Sequence, residues 1–211
     1  MLSILYIFSG LICAIVMIAV IWRFSSTRSS IPCPSWLSWL VELDNPFLKN
    51  NSAREIISHL SLRSGMKVLD FGCGPGRLTI PVAKQVGPSG TVIAFDIQPG
   101  MLERVRVKAD HENLGNIQFV QGAAGEVKLG KNEYDRVLLI TVLGEIPDKT
   151  TAMKEIFECL KPSGLLSITE VIADPHFQTR KNVLAVASSA GFIEKGFFGN
   201  QISYTINLEK S

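Results

Sequence analysis

The chain has 211 residues, of which 46% are hydrophobic and 19% are charged, so it is too apolar to be disordered and suits one domain with a full core. Its net charge of +2, without any run of lysine or arginine, argues against nucleic acid as a partner. The four cysteines show no C-x-x-C spacing. We therefore expect neither a disulfide framework nor a bound metal.

The apolar excess is concentrated at the start of the chain. Residues 2–22 carry no charged side chain, and a helix of that length, about 31 Å, would cross the hydrocarbon core of a bilayer. Residues 1–22 are therefore predicted to form a single transmembrane anchor. A cleavable signal peptide is the competing interpretation, but a basic start and a cleavage site of small residues are missing. Because Arg23 and Arg28 follow the span, we expect the remaining chain on the cytoplasmic side.

A linker separates the predicted anchor from the main domain. Residues 23–35 are rich in serine and contain prolines, which is typical of an extended linker. The domain is expected to occupy residues 36–211. Its first segment places Trp36 and Trp39 at helical spacing, and this amphipathic piece could pack on the domain or lie at the membrane surface.

Apolar strands and helical patterns alternate through most of the domain. Strands are predicted at 66–71, 91–95, 117–120, 135–140 and 164–170. Helices are predicted at 52–60, 77–86, 99–110, 148–160 and 178–190. Nearly continuous apolar strands separated by helices indicate an α/β fold with a parallel sheet covered on both faces. The tail differs, because strands at 192–198 and 201–208 flank a Gly-Asn turn and predict an antiparallel hairpin.

The strongest chemical signal is a glycine cluster after the first predicted strand. The run VLDFGCGPGRL has Gly72, Gly74 and Gly76 where the chain passes from strand to helix, so the backbone can turn sharply and approach a ligand. The dinucleotide fingerprint G-x-G-x-x-G would need a glycine at position 77, where Arg77 stands, and a Walker A sequence is absent. A cofactor other than NAD or FAD is therefore favoured. Asp96 ends the second strand, where a carboxylate can accept both hydroxyl protons of a ribose.

With these features the sequence resembles the class I S-adenosylmethionine-dependent methyltransferases over roughly residues 50–210, in the branch that includes ubiquinone- and menaquinone-biosynthesis enzymes. The resemblance is carried by VLDFGCGPGRL, TVIAFDIQPGML, FVQGAAGEV, YDRVLLITVLGEIPD and LKPSGLLSITE. It implies a Rossmann-like, doubly wound sheet of seven strands, mostly parallel with an antiparallel last strand, which here would follow one transmembrane helix. It also implies S-adenosylmethionine as the cofactor.

The resemblance further implies which residues hold that cofactor. The glycine loop would hold its methionine end with Asp70 near the amino group, Asp96 would bind the ribose, and Ile97 would lie against the adenine. Relatives often carry an acid for the adenine amino group where this chain has Ala123, which leaves that group to Glu126 or to water. The expected cofactor residues are Asp70, Gly72, Cys73, Gly74, Gly76, Asp96, Ile97, Ala123, Ala124 and Ile140. Cys73 is expected to be a small filler of the loop rather than a nucleophile.

Methyl transfer from a sulfonium is an in-line displacement, for which positioning and exclusion of water supply most of the acceleration. A general base is needed only if the acceptor carries a proton whose loss helps the attack. Candidates after the fourth and fifth strands are Thr141, Glu145, Glu170, Asp174 and His176. Each could instead be a structural residue of a loop, a helix entry or a strand end.

The predicted anchor favours a small hydrophobic or lipid-borne acceptor, such as a quinone precursor or a phospholipid head group, because a tether concentrates the domain near the membrane. One alternative is a scaffold at the membrane that binds the cofactor without catalysis, which is compatible with Ala123. Another is a nucleotide-dependent dehydrogenase, against which Arg77 argues. The sequence leaves the acceptor, the methylated atom and the oligomeric state open.

Overall fold

The computed structural model describes the continuous stretch 51–210 and three isolated positions before it, Tyr6, Gly10 and Met17. Apart from those three positions, the predicted anchor, the linker and the tryptophan-containing segment lie outside the described residues and stay predictions. Within the part of the chain that the structure describes, no helix is both long and apolar enough to cross a membrane.

Seven strands and five α-helices alternate along the described stretch. The strands are β1 (Lys67–Phe71), β2 (Thr91–Asp96), β3 (Ile117–Gln121), β4 (Tyr134–Ile140), β5 (Leu160–Val171), β6 (Phe192–Gly199) and β7 (Ser203–Lys210). The α-helices are α1 (Ala53–Ser58), α2 (Thr79–Val86), α3 (Pro99–His111), α4 (Lys149–Cys159) and α5 (Arg180–Ser189). A short 3-10 turn, Leu143–Glu145, follows β4.

The seven strands form one sheet in the order β3-β2-β1-β4-β5-β7-β6. Strands β1 to β5 pair in parallel, whereas β7 runs antiparallel to both of its neighbours, β5 and β6. The predicted doubly wound, mostly parallel sheet of seven strands with an antiparallel last strand is therefore confirmed, and so is the hairpin formed by β6 and β7.

One boundary differs clearly from the prediction, because β5 begins at Leu160 rather than at 164. Pro162 cannot continue helix α4, so the chain leaves the helix after Cys159 and enters the sheet at once. Leu160 pairs with Tyr134, and an irregularity then shifts the register so that Leu165 pairs with Arg136. The added residues extend the strand with a bulge.

The core lies in two layers, one on each face of the sheet, because successive strand residues point to opposite sides. Leu69 of β1 packs with buried residues of α4 and α5, including Met153 and Val183. Its neighbour Val68 packs on the other face with α1, α2 and α3. Helices thus cover both faces, as the apolar strands predicted.

The strand order reverses beside β1, which has β2 on one side and β4 on the other. In open α/β sheets the helices on the two sides of such a point diverge, and a crevice opens beyond the carboxyl ends of the strands. We call this the carboxyl edge of the sheet. It carries the glycine loop after β1, Asp96 at the end of β2, and the segment from Thr141 onward after β4.

Candidate functional site

A cavity of about 590 Å3 opens at the carboxyl edge, a volume within the range of small-molecule and cofactor sites. Its floor includes Phe71 and Phe95, whose rings stack at 4.6 Å between centroids. Its walls include seven of the expected cofactor residues, namely Gly72, Gly74, Asp96, Ile97, Ala123, Ala124 and Ile140. Three of the candidate catalytic residues, Thr141, Glu145 and Asp174, line the same cavity.

The glycine loop forms one wall because its backbone is held close to the end of β2. The N–H groups of Gly72 and Cys73 both donate to the carbonyl oxygen of Phe95, at 2.8 and 3.0 Å. Gly72 has a φ of +75°, and a Cβ built on it would meet the side chain of Val142 at 2.5 Å. Gly74, with a φ of +52°, has nothing within 4 Å of an added Cβ. The loop therefore packs tightly at Gly72 and leaves open space at Gly74.

The carboxylate of Asp96 is fixed at both oxygens by the backbone. Oδ2 accepts the N–H of Gly74 at 2.9 Å, and Oδ1 accepts the N–H of Gln98 at 2.8 Å. Burial raises the pKa of Asp96, while these backbone hydrogen bonds act in the opposite direction. Each carboxylate oxygen keeps a second lone pair. A pair of ligand hydroxyl groups could therefore donate to a carboxylate that is already oriented.

The wall after β3 presents backbone groups rather than the acid found in many relatives. The N–H of Ala124 makes no hydrogen bond to any residue that the structure describes. The N–H of Ala123 donates to Oε2 of Glu126 at 3.3 Å, and Glu126 itself lines the cavity. A donor and a nearby carboxylate therefore face the cavity at the position expected for adenine, although the residue at 123 is alanine.

Asp70 accepts a hydrogen bond from helix α2, and its expected place near the amino group of the cofactor stays a prediction. Its side chain is only 2% exposed, lies outside the cavity walls, and accepts the hydroxyl proton of Thr79 at 2.6 Å and the backbone N–H of the same residue. Burial raises the pKa of Asp70 to about 6. Thr79 is the first residue of α2, so Asp70 fixes the start of the helix that follows the glycine loop. Sequence position alone could not show which way this side chain turns.

Cys73 and Gly76 also lie outside the cavity walls. Cys73 is 6% exposed, its Sγ donates to the carbonyl oxygen of Gly74 at 3.5 Å, and burial raises its pKa strongly, so it behaves as a filler of the loop. Gly76, with a φ of +89°, lies against Val105 of α3. Both residues shape the loop from behind.

Thr141 and Glu145 line the cavity from the segment that follows β4. Thr141 has a φ of +57°, an unusual conformation for a β-branched residue, and its hydroxyl donates to the carbonyl oxygen of Ile140 at 2.7 Å. Glu145 lies in the 3-10 turn, and its Oε1 is 3.8 Å from Nδ1 of His176. Oδ1 of Asp174 is also 3.8 Å from that nitrogen.

His176 and Glu170 lie behind the cavity walls rather than in them. His176 is buried at 6% exposure, and its backbone N–H donates to Asp174 at 2.6 Å. Glu170 is 1% exposed; its Oε2 accepts the N–H of Gln178 at 2.9 Å, while Oε1 has no hydrogen-bond partner among the described residues. Burial raises the pKa of Glu170 to about 8. Of the expected bases, Thr141, Glu145 and Asp174 line the cavity, and the last two carry carboxylates.

The sequence did not point to several cavity residues. Met101 reaches the cavity from α3, Ile146 and Pro147 reach it from the segment before α4, and Thr151 reaches it from the first turn of α4. The Ile-Pro dipeptide before Asp148, the N-cap of α4, indicates a turn in the sequence. It does not indicate that these two residues form an apolar part of the cavity wall. Among the described residues, no group of histidine, cysteine or acidic side chains could hold a metal ion.

Comparison with known proteins gives both a family and a fold. The family model described as a methyltransferase domain matches residues 62–199. The demethylmenaquinone methyltransferase of Staphylococcus carnosus is 38% identical over 112 residues, which are 53% of this chain and 46% of that protein. The same enzyme of Lactococcus lactis is 41% identical over 101 residues, which are 48% of this chain and 40% of that protein. The chain thus spans somewhat less than half the length of these curated relatives.

Among solved structures, a SAM-dependent methyltransferase from Aquifex aeolicus superposes with a TM-score of 0.76. The match covers 85% of this chain and 100% of that chain at 18% sequence identity. At this level of identity the likeness establishes the fold, and the function has to be argued from the residues of the site.

Proposed function

The chain belongs to the methyltransferase domain family, and from that premise we propose that it transfers a methyl group from S-adenosylmethionine to a hydrophobic, quinone-type ring acceptor. By family it is an S-adenosylmethionine-dependent methyltransferase, as the sequence predicted. The acceptor is our proposal. The observation that carries it is that a single cavity joins Asp96 and the glycine loop to Glu145 and Asp174.

The residues at one end of the cavity fit the cofactor. The carboxylate of Asp96 suits the two ribose hydroxyl groups because its oxygens are fixed and each still has a free lone pair. The open space at Gly74 admits the methionine end beside the backbone. The N–H of Ala124 would donate to the adenine ring, and Glu126 would accept from its amino group. Ile97 and Ile140 would contribute apolar walls.

The other end fits an apolar ring that carries hydroxyl groups. Ile146 and Pro147 supply apolar wall, whereas Glu145 and Asp174 supply carboxylates. When bound, the cofactor would supply an electrophilic methyl group, and its sulfur would keep the electron pair of the bond that breaks. Glu145 would take the proton from a ring hydroxyl as the adjacent ring carbon forms the new bond to the methyl group; that carbon would then lose its own hydrogen as a proton, and the oxygen would regain one, which restores the aromatic quinol. His176, 3.8 Å from Glu145, would hold that carboxylate in place.

A quinone-type acceptor is supported by two independent lines. The relatives named demethylmenaquinone methyltransferase act on such a ring, according to their names. The uncharged stretch at residues 2–22 would place the domain at a membrane, where a quinone with an isoprenoid tail is dissolved. We therefore propose a single-pass membrane protein whose methyltransferase domain faces the cytoplasm.

The test is an assay of the full chain with methyl-labelled S-adenosylmethionine and a prenylated 1,4-naphthoquinol that lacks the ring methyl group. Label in the organic extract, in a product that contains one additional methyl group, is the expected result. At a cofactor concentration near the Kd of the parent chain, Asp96→Ala should lose most of the labelling, and Asp110→Ala, a change at an exposed carboxylate of α3, should not. Label recovered only in water-soluble or protein fractions would rule out this acceptor class.

The two alternatives from the sequence are separated by simple measurements. A scaffold that binds without catalysis would show S-adenosylmethionine binding by calorimetry and no labelled product with any membrane extract. A dehydrogenase would change the absorbance of NAD(P)H. The family match favours methyl transfer over both, and Glu126 beside Ala123 provides the carboxylate whose absence had suggested a scaffold.

A further inference from the structure

We propose that the carboxyl edge of the domain docks on a lipid bilayer through an isoleucine rim that consists of Ile172 and Ile202. The inference deepens the proposed function, and rests on it, because it states how a lipid-borne acceptor would reach the cavity. The docking itself can be measured without any methyl transfer.

The two rim residues are neighbours at the end of the sheet. Ile172 directly follows β5, and Ile202 directly precedes β7 in the turn of the last hairpin. The N–H of Ile172 donates to the carbonyl oxygen of Ile202 at 2.7 Å, just beyond the pair formed by Val171 and Ser203. Their side chains are 44% and 48% exposed. Two adjacent branched apolar side chains therefore face solvent at one point of the surface.

The rim adjoins the end of the cavity assigned to the acceptor. Asp174, two residues after Ile172, lines that cavity. Ile97, which is 52% exposed, lies at the same edge beyond β2 and also lines the cavity. Three of the four exposed isoleucines of the stretch 51–210 thus lie at the carboxyl edge of the sheet, and one of them lines the cavity. Ile193, at the start of β6, lies at the opposite edge of the sheet, whereas Val107 of α3 lines a second cavity together with Arg77.

The point at which the polypeptide enters the domain indicates which side of the domain would face a membrane. Asn51 begins the described stretch, and Arg77, just after the glycine loop, donates to its carbonyl oxygen at 2.6 Å and to its side chain at 3.2 Å. The polypeptide therefore enters the domain beside Arg77, the residue that directly follows the glycine loop. The fifty residues before it include the uncharged stretch 2–22. If that stretch spans a bilayer, the cavity mouth and the rim are on the side of the domain where the tether arrives.

The partner we assign is the surface of a bilayer with neutral head groups. The acidic residues Glu145, Asp148 and Asp174 line the adjoining cavity, so an anionic lipid surface would be repelled from the mouth. Partial burial of exposed isoleucine in the head-group region supplies the attraction, and the tether keeps the domain within reach.

The experiment measures the depth of single side chains in the full chain reconstituted into phosphatidylcholine vesicles. Nitroxide labels are attached at Ile172→Cys or Ile202→Cys, with Ser188→Cys and Ile193→Cys as controls that are also exposed but lie toward the opposite edge of the sheet. Paramagnetic relaxation by oxygen, which concentrates in lipid, is compared with relaxation by a water-soluble nickel complex. We expect the two rim labels to respond to oxygen and to be shielded from nickel, and the two control labels to respond in the opposite way.

The native cysteines need not react with the nitroxide label. Cys73 and Cys159 are buried at 6% and 0% exposure and do not compete for the label. Cys13 and Cys33 are changed to serine. Circular dichroism and S-adenosylmethionine binding establish that each labelled chain is folded before its depth is measured.

Three results would overturn the proposal. Rim labels as accessible to nickel as the controls would show that the edge stays in water. Rim labels shielded from both reagents would show a protein contact, such as a second copy of the chain. Control labels as deep as the rim would show a different orientation. Rim labels in lipid without any labelled quinol product would leave the docking standing and overturn the proposed function instead.

A kinetic experiment tests whether the isoleucine rim affects the use of a lipid-borne acceptor. The double variant Ile172→Asp and Ile202→Asp should raise KM for the prenylated quinol in vesicles about tenfold. It should leave kcat and KM for a short-chain, water-soluble quinol unchanged, because neither residue lines the cavity. Equal losses with both acceptors would show that the rim acts through the fold and not through the membrane.

Discussion

Oδ2 of Asp96 accepts the backbone N–H of Gly74 at 2.9 Å, which joins the acid at the end of β2 to the glycine loop at the end of β1. The other oxygen of the carboxylate is held by the N–H of Gln98. The acid that would bind the ribose and the loop that would hold the methionine end therefore form one unit. A ligand that engages the carboxylate also meets the loop in a fixed position.

Replacement of Asp96 should weaken cofactor binding more than it weakens the fold. Asp96→Ala removes a carboxylate that would accept two hydroxyl groups, and we expect the Kd for S-adenosylmethionine to rise about 100-fold. Asp96→Asn, which keeps one acceptor oxygen, should lose less. Isothermal titration calorimetry measures both, with Asp110→Ala as the control. Unchanged affinity in Asp96→Ala would show that the cofactor binds elsewhere.

Two alanine substitutions in the glycine loop should separate folding from binding. Gly72→Ala places a Cβ against Val142 at a positive φ, so we expect a loss of about 3 kcal/mol in the free energy of unfolding. Gly74→Ala meets open space and should lose only about 1 kcal/mol, from its φ. Its cofactor affinity should fall because the added methyl group enters the cavity.

Denaturant unfolding and calorimetry test this pair of variants. Val142→Ala should recover part of the stability lost in Gly72→Ala, since it removes the atoms that collide, and should do nothing for Gly74→Ala. Equal stability losses at the two glycines would contradict the different surroundings of their Cβ positions.

Thr141 is held in a strained conformation at the cavity wall. Because the backbone at this position has a φ of +57°, glycine is the residue that fits best there. Thr141→Gly should therefore be as stable as the parent or more stable by about 1 kcal/mol. Thr141→Ala keeps the strain and loses the hydroxyl, so it should be the less stable of the two. Chemical denaturation of both variants measures the difference. A glycine variant less stable than the alanine variant would show that the conformation carries no strain.

The buried Glu170 should make the protein less stable as the pH rises. Its pKa is raised from 4.5 to about 8 by burial, so the folded chain keeps a proton that the unfolded chain has already lost. Stability therefore falls between about pH 4.5 and 8 because the unfolded state binds fewer protons there. Glu170→Gln removes this dependence, and its stability advantage over the parent should grow with pH by on the order of 4 kcal/mol.

Thermal unfolding at a series of pH values checks the Glu170 prediction through the difference between variant and parent, since other acids contribute to both alike. A difference that does not change between pH 5 and pH 8 would show that Glu170 is ionised in the folded protein, with a partner for its second oxygen.

Much of the fold could be predicted because each central strand is a short, nearly continuous apolar run between helices. Lys67–Phe71 and Thr91–Asp96 were located to within a residue on that basis. The glycine loop and Asp96 could be placed at one edge of the sheet for the same reason, since parallel strands end together. The apolar pattern of the strands and their parallel direction were sufficient to predict that the glycine loop and Asp96 line one cavity.

The direction of the acidic side chains could not be predicted. Glu170 lies at a strand end as expected, but it pairs with Tyr204 of β7, and this distant strand helps to bury it behind the cavity. Asp70 likewise turns toward Thr79 on α2. Both outcomes depend on how elements far apart in sequence pack together. A single sequence gives the position of such a residue along its strand but not the partner that its carboxylate meets.

The most direct test of the proposed methyl transfer is a single-turnover reaction. The full chain is in excess over methyl-labelled S-adenosylmethionine, and the prenylated naphthoquinol is supplied in phosphatidylcholine vesicles. We predict that the label passes to the quinol in the parent chain. In Glu145→Gln, cofactor binding should be unchanged while the rate falls about 100-fold or more, because the carboxylate that takes the acceptor proton is gone. Glu103→Gln, a change on the exposed face of α3, is the matched control. If the parent chain is saturated with the cofactor but the label stays in the cofactor, the result would contradict the proposed methyl transfer to a quinol.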